Sequence, residues 1–325
     1  MKIHRRQIFE LAAGAAAATA LPQRARAFDY PVRPIHFVAG FTAGSGLDVI
    51  ARLLGQAVTE RLGQTVVVDN RPGAGTNIAT EYVVNALPDG YTILMVSTAN
   101  YTNGALYPNL GFDFVRDIAP VASVSRGGIA MLVNPAFAAQ SIPDFIAYAK
   151  ANPGKISVGS AGNGTVTHIS GEMFKIMAGI NTVHVPYRGE PQALTDVIGG
   201  QLQCAFITIA GSAEFIKTGK LRALGVTMAQ RSELLPEVPA IGEFVPDYEA
   251  NLWNGMGAPR ATPPEIVDKL NGAINEGLKD PKIKAQFAAF GSTTAPLTPA
   301  EYAKVVARET ERWGKIIRAA GIKAE

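Results

Sequence analysis

The 325-residue chain has one cysteine, Cys204. No intrachain disulfide can form, so the fold rests on its core and not on covalent staples. Cys204 sits in the apolar run Leu202-Gln203-Cys204-Ala205-Phe206-Ile207, where a buried, inert thiol is expected and not a nucleophile. No apolar run reaches the roughly 20 residues of a membrane helix. There is no Pro/Ser-rich linker and no low-complexity tract. Nucleotide motifs are missing too. Val49 stands where Gly44-x-Gly46 would need a third glycine, Ile78 does so after Gly73-x-Gly75, and no GxxxxGK[ST] occurs. Val158 takes the first glycine position of a Gly-x-Ser-x-Gly elbow at Ser160. His36, His168 and His184 have no HExxH or i, i+4 company, so neither a metal site nor a cofactor is expected.

The first residues read as an export signal. Arg5-Arg6 precede an uncharged stretch from Leu11 to Leu21, and Ala25-Arg26-Ala27 offers an Ala-x-Ala cleavage site. The paired arginines with Ile8-Phe9 behind them suit a twin-arginine route, and a Sec signal fits equally. Cleavage after Ala27 takes away five of the 30 basic residues and one of the 27 acidic ones, leaving 25 against 26. The formal charge of +3 for the whole chain thus becomes −1, and nothing supports nucleic-acid binding. The protein is expected in the periplasm, as a monomer.

Strand-like runs recur at 35–38, 66–69, 93–97, 130–134, 156–158, 182–185, 204–207 and 222–226. They are β-branched and continuous, separated by amphipathic stretches of helix length, the pattern of parallel strands buried on both faces. Helix starts are clearly written. Ser141-x-x-Asp144, Thr262-Pro263-x-Glu265 and Thr298-Pro299-x-Glu301 each place a hydroxyl at the N-cap and an acid at N3, the latter two with proline at N1. Asp280-Pro281 opens a further helix, which Gly291 ends.

Two glycine-rich turns carry the chemistry. Gly40-Phe41-Thr42-Ala43-Gly44-Ser45-Gly46-Leu47-Asp48 and Gly159-Ser160-Ala161-Gly162-Asn163-Gly164-Thr165 each follow a strand-like run and lead into a helix-like one. Free N–H groups and the helix dipole make such a turn an anion cradle, and two of them suggest two lobes gripping one small anion. In the first, Ser45 can cap the helix while Asp48 at N3 reaches back to it, and Asp48 lies four residues before Arg52. Asp48 then stiffens the turn and leaves the backbone N–H groups free for a carboxylate. His36 and His184 read as strand histidines with a satisfied hydrogen bond. His168, in the first turn of the second helix, faces either ligand or solvent. Asn70 to Asn77 forms a third strand-to-helix turn. Thr98 and Asn100 follow a buried strand, where α/β proteins present ligand groups. Tyr187-Arg188-Gly189 follows another, and Arg188 is either a carboxylate partner or a surface arginine.

With these residues in view the chain resembles the Bug family, the extracytoplasmic receptors of tripartite tricarboxylate transporters. The blocks that carry the likeness include GFTAGSGLDVIARLL, VVDNRPGAGTNIAT, PDGYTIL, SIPDFIAYAKANPGKI, HVPYRGEPQALTDVIGGQ, GKLRALGVT and RSELLPEVPAIGEF. The resemblance implies an α/β type II periplasmic-binding-protein fold, with two lobes joined by two crossovers and the ligand cleft between them. The lobes would be 28–127 plus 250–325, and 128–249. It implies a carboxylate held by backbone amides, hydroxyls and water. The residues carried over to the site are Phe41, Thr42, Ala43, Gly44, Ser45, Asp48, Thr98, Asn100, Ser160, Gly162, Gly164, Thr165, His168, Tyr187 and Ile207. Three departures concern the cleft. Thr42 replaces a usual proline and Ser45 a usual glycine. Ile207 stands where relatives often have aspartate. Losing that acid favours a plain carboxylate over an amino acid, unless Glu190 or Glu214 supplies the charge.

The resulting expectation is a solute-binding protein, not an enzyme, that hands a small organic carboxylate to membrane permease subunits. An exported hydrolase using Ser160 with His168 is the rival from another class, and a ligand sensor feeding a membrane receptor would need the same cleft.

Overall fold

The computed structural model describes residues 29–289 and 291–323. The export signal at 1–27 and its cleavage after Ala27 lie outside the described residues. Residues from Arg33 onward form one compact unit.

Eleven strands and eleven α-helices follow in chain order among the described residues. The first part runs β1 (Ile35–Ala39), α1 (Gly46–Leu62), β2 (Val66–Asn70), α2 (Asn77–Val84), β3 (Thr92–Val96), α3 (Thr98–Leu106), α4 (Phe114–Asp117) and β4 (Ile118–Gly127). The middle runs β5 (Ile129–Val133), α5 (Ile142–Ala151), β6 (Ser157–Ser160), α6 (Val166–Ala178), β7 (Val183–Pro186), α7 (Glu190–Ile198), β8 (Cys204–Thr208), α8 (Ile209–Lys217) and β9 (Arg222–Val226). The last part is β10 (Leu252–Pro259), α9 (Pro264–Gly277), α10 (Pro281–Ala289), β11 (Ser292–Thr294) and α11 (Pro299–Ala320).

Two sheets result. The first has the order β11-β4-β10-β3-β1-β2 and the second β7-β6-β8-β5-β9. Pairs β1–β2, β1–β3, β6–β7 and β6–β8 are parallel, as the continuous apolar runs suggest. The sheets are nonetheless mixed. β10 runs antiparallel between β3 and β4, β11 pairs antiparallel with β4, and β5 is antiparallel to both β8 and β9. β10 reads poorly as a strand because it holds Gly255 and Gly257 and ends in proline. Its place comes from its neighbours. A Cβ at Gly255 would collide with the Tyr302 hydroxyl, and one at Gly257 with the Ile118 side chain.

Two passages connect the sheets. The chain leaves the first at Gly127 and enters the second at Ile129; it leaves after Val226 and returns at Leu252. Thr227, fully buried, joins these passages. Its Oγ1 accepts from the Ile129 amide at 3.0 Å and donates to the Ala250 carbonyl at 2.6 Å. The C-terminal helix α11 lies across both halves, packing on α3 and β4 and also on α6. Its buried Trp313 and Ile317 belong to a core that continues from Val38 and Leu94 to Met131 and Phe206.

The caps follow the sequence with one shift. Ser141 accepts from the Asp144 amide at 3.2 Å, and Thr298 and Glu301 form a full capping box. At α9 the N-cap is Pro263 and not Thr262, whose buried hydroxyl has no partner. Of two consecutive prolines the second takes N1, so the cap moves by one residue.

Candidate functional site

The strands that run parallel end on common edges. The loops after β1, β2 and β3 gather at one edge of the first sheet, and those after β6, β7 and β8 at one edge of the second. In α/β sheets the carboxyl ends of the strands are where ligands sit. The two edges meet across Leu106, at the end of α3: a Cβ on Gly164 would stand 3.3 Å from its Cδ1. The first turn packs on the third, since a Cβ on Gly40 would stand 2.6 Å from Thr76 Cβ.

The two cradles share one construction. In the first, Gly44 is left-handed at φ 81°, Ser45 is the N-cap, and its hydroxyl accepts from the Asp48 amide at 3.4 Å. The Gly44 amide donates to Asp48 Oδ2 at 2.9 Å. In the second, Gly164 is left-handed at φ 70°, Thr165 is the N-cap, and its hydroxyl accepts from the His168 amide at 3.3 Å. The Gly164 amide donates to His168 Nδ1 at 3.1 Å. In both, the N3 side chain holds the amide of the glycine before the cap. The reach-back expected for Asp48 is there, but it lands on Gly44 and not on Ser45, whose amide goes to the Thr42 carbonyl at 3.1 Å. A positive φ turns the glycine N–H down toward the helix, which an L side chain would resist.

This bonding corrects the expectation that the turn amides are all open to a ligand. In the second cradle Ala161 donates to Thr167 Oγ1, Gly162 to Ser160 Oγ and Thr165 to the Gly162 carbonyl. The first two amides of each helix, at Gly46 and Leu47 and at Val166 and Thr167, precede the first intrahelical acceptor. The common spacing from Gly44-Ser45 to Asp48 and from Gly164-Thr165 to His168 was a signal in the sequence for this likeness.

Asp48 is 2% exposed and accepts three hydrogen bonds, from the Gly44 amide, Arg52 Nε and Asn70, while Arg52 Nη2 lies 3.0 Å from its Oδ1. The Arg52 guanidinium holds its carboxyl below the usual carboxylate range. Phe41, Thr42, Ala43 and Gly44 are exposed, ready for contact, and Ser45 is partly so. Thr98 and Asn100 are not. The Thr98 hydroxyl is engaged with the Trp253 backbone, accepting from its amide at 3.0 Å. Asn100 caps Ser97 at 2.8 Å and donates to Thr80 at 2.8 Å. Both side chains are buried and brace the first lobe.

In the second lobe Ser160 is buried, and its Oγ lies 2.7 Å from His184 Nε2. The Ser160–His168 pair that a hydrolase would need is therefore not formed. His168 stacks flat on His184 instead, with centroids 3.6 Å apart and planes 5° from parallel. Burial first, and then the nearby cations, push His168 down to about 3 and His184 down to about 4. His184 has the satisfied bond expected of a strand histidine, as has His36, whose Nδ1 is 3.0 Å from Asp69. His168 is 7% exposed, so its ring is turned away from bulk solvent and onto the Gly164 turn.

Tyr187 turns its hydroxyl to Asp196 at 2.6 Å, and burial with that carboxylate pushes it up to about 12. Both its carbonyl and its ring meet the cradle: a Cβ on Gly162 would stand 3.0 Å from the carbonyl oxygen, and one on Gly159 3.4 Å from ring atom Cε2. Ile207 is fully buried in β8 and presents no surface to a ligand here. Of the two acids considered as substitutes, Glu190 lies beside the end of β8. Its carboxylate accepts from the Thr208 amide at 3.0 Å and from the Thr208 hydroxyl at 2.7 Å.

Known proteins resemble this chain along most of its length. Residues 50–322 match the model of the tripartite tricarboxylate transporter family receptor. A UPF0065 protein from the tcbD-tcbE intergenic region of Pseudomonas sp. strain P51 is 36% identical over 97% of this chain and 94% of its own length. Protein BugT of Bordetella pertussis is 34% identical over 90% of this chain and 91% of its own. A Rhodopseudomonas palustris protein solved with adipate superposes with a TM-score of 0.76 at 33% identity, covering 90% of this chain and all but 1% of its own, 99%. MatC from the same organism, with bound malate, gives a TM-score of 0.73 at 27% identity over 89% of this chain and 100% of its own. With the family model, the fold and these relatives agreeing, the chain belongs to the Bug family of tripartite tricarboxylate transporter receptors, periplasmic binding proteins and not enzymes.

Proposed function

We propose that this receptor seats its ligand carboxylate between the turns at Thr42–Gly46 and Ser160–Thr165. The observation that carries the reading is the shared construction of the two cradles, each a helix N-terminus with a hydroxyl N-cap beside a left-handed glycine. A helix N-terminus favours an anion through its N–H groups and its dipole. Relatives solved with adipate and with malate support a small organic acid as the ligand. The lobes are 28–127 with 250–325, and 128–249, and their closure about the two passages buries the ligand before it reaches the permease subunits. Export precedes this, by the Sec or the twin-arginine route, with cleavage after Ala27.

Native mass spectrometry of the purified chain tests the reading, together with a thermal-shift screen of adipate, malate, succinate and benzoate. A co-purified acid, or stabilisation by about 2.7 kcal/mol at a hundredfold excess over Kd, is expected. Stabilisation only by uncharged solutes would overturn it.

A further inference from the structure

The cradles differ at N3, and the difference there is chemical. At N3 the first lobe has Asp48, a fixed anion held by Arg52 and Asn70; the second has His168, a neutral ring on the same glycine amide. Because Nδ1 of His168 accepts the Gly164 N–H, that nitrogen carries no proton in this arrangement. We propose that the second cradle takes up one proton with its ligand, at Nδ1 of His168, as the Gly164 amide passes from the ring to the incoming carboxylate.

The inference rests on the carboxylate reading above and adds the regulation of that site. Once the anion takes the Gly164 N–H, the ring nitrogen is left buried with a bare lone pair. A carboxylate within 4–6 Å favours the charged form of an imidazole, reversing the balance that keeps it neutral when empty. The proton comes from solvent, one N–H bond forms, and nothing is oxidised. The ring then donates to the same anion. His168 is thus a positioning residue in the empty cradle.

The groups around the ring are consistent with a neutral resting state. From β7, His184 stacks on it, and two like charges at 3.6 Å would repel, so at most one ring can hold the proton. On α6 itself Lys175 bears on both rings and is paired with Glu172 at 3.3 Å. β6 contributes the neutral Ser160. β8 meets α6 through Phe206, beside Gly171. α11, also packed on α6, carries Glu309, bonded to Arg308.

Two measurements decide it. Calorimetry with adipate, malate, succinate and benzoate, in buffers of different ionisation enthalpy at pH 5.5, counts protons taken up. Wild type is expected to take up at least about half a proton more than His168→Asn, which keeps an acceptor for the Gly164 amide but cannot titrate. Its Kd should weaken by up to tenfold per pH unit above that of the variant between pH 5 and 7. Equal counts and parallel pH profiles overturn the proposal. Nitrogen NMR of the wild-type rings needs no variant: Nδ1 of His168 should be bare in the free protein at pH 6 and protonated when an acid saturates it. A ring protonated at Nδ1 when free, or bare when saturated, overturns it too. Failure of every acid to bind would strike down the carboxylate reading itself, a distinct result.

Discussion

The imidazoles of His168 and His184 lie face to face, one from a helix and one from a strand, 3.6 Å apart. Each ring also holds a piece of the second cradle: His168 the Gly164 amide and His184 the Ser160 hydroxyl. Two neutral rings can stack so closely, whereas two imidazolium ions would repel. Both rings have folded-state values below 6.5, so they contribute full stability above about pH 6.5 and lose it as pH falls toward about 4. The urea midpoint of the ligand-free protein should therefore drop between pH 6.5 and 4.5, and less so in His168→Asn. Identical pH dependence of the two proteins would show that the ring does not titrate with folding.

Asp48→Asn should cost stability more than affinity. The substitution removes a buried carboxylate that accepts from the Gly44 amide, Arg52 and Asn70. Charge-assisted bonds of this kind contribute about 1.5–3 kcal/mol each, and partial replacement by the amide leaves a loss of about 1–3 kcal/mol. Because the folded carboxyl is depressed, the gap between wild type and variant should close as pH falls below about 4. An unchanged melting temperature with a hundredfold loss of affinity would make Asp48 a ligand residue instead.

Gly164→Val and Gly44→Val should abolish ligand binding while circular dichroism still reports the native fold. Both positions need positive φ, at 70° and 81°. A side chain at Gly164 would in addition press on Leu106. The strain is about 1–3 kcal/mol, within what a domain of this size tolerates. Wild-type affinity by calorimetry in both variants would contradict the cradle assignment.

Thr227→Val should lower stability sharply, and Thr227→Ser should restore most of it. Valine keeps the volume but strands the buried Ile129 amide and Ala250 carbonyl, at about 1–3 kcal/mol for each. Denaturant midpoints measure this. Equal stability of the valine and serine variants would mean that packing, and not the hydroxyl, joins the two passages.

Gly255→Ala should destabilise by about 1–3 kcal/mol, because its Cβ would enter the space of the Tyr302 hydroxyl, which bonds Tyr101 at 2.8 Å. In a Tyr302→Ala background, which removes both the hydroxyl and the ring atom Cζ from that space, the same change should cost less. A double-mutant cycle with no coupling would place the clash elsewhere.

The local grammar of this protein is written in its sequence. Apolar runs such as 35–38 and 204–207 bury both faces and so identify themselves as interior strands. Ser45, Ser141 and Thr298 announce helix starts because a cap needs only groups three residues apart. Glycine turns at 40–48 and 159–165 are legible for the same reason. Tertiary structure decided the rest. β10 is a strand because β3 and β4 flank it and Tyr302 leaves no room for a side chain, facts set by residues far away along the chain. Thr98 and Asn100 have the composition of ligand groups, yet packing against Trp253 and Thr80 claims their hydrogen bonds. Glu190 reaches Thr208, beside Ile207, only because α7 and β8 meet in space. Asp48 and His168 occupy the same place in two cradles, but the ring's neutrality depends on its burial against His184. Hydrogen bonding over three or four residues is local and can be read from order alone. Desolvation, stacking and steric exclusion depend on which distant segments the core brings together.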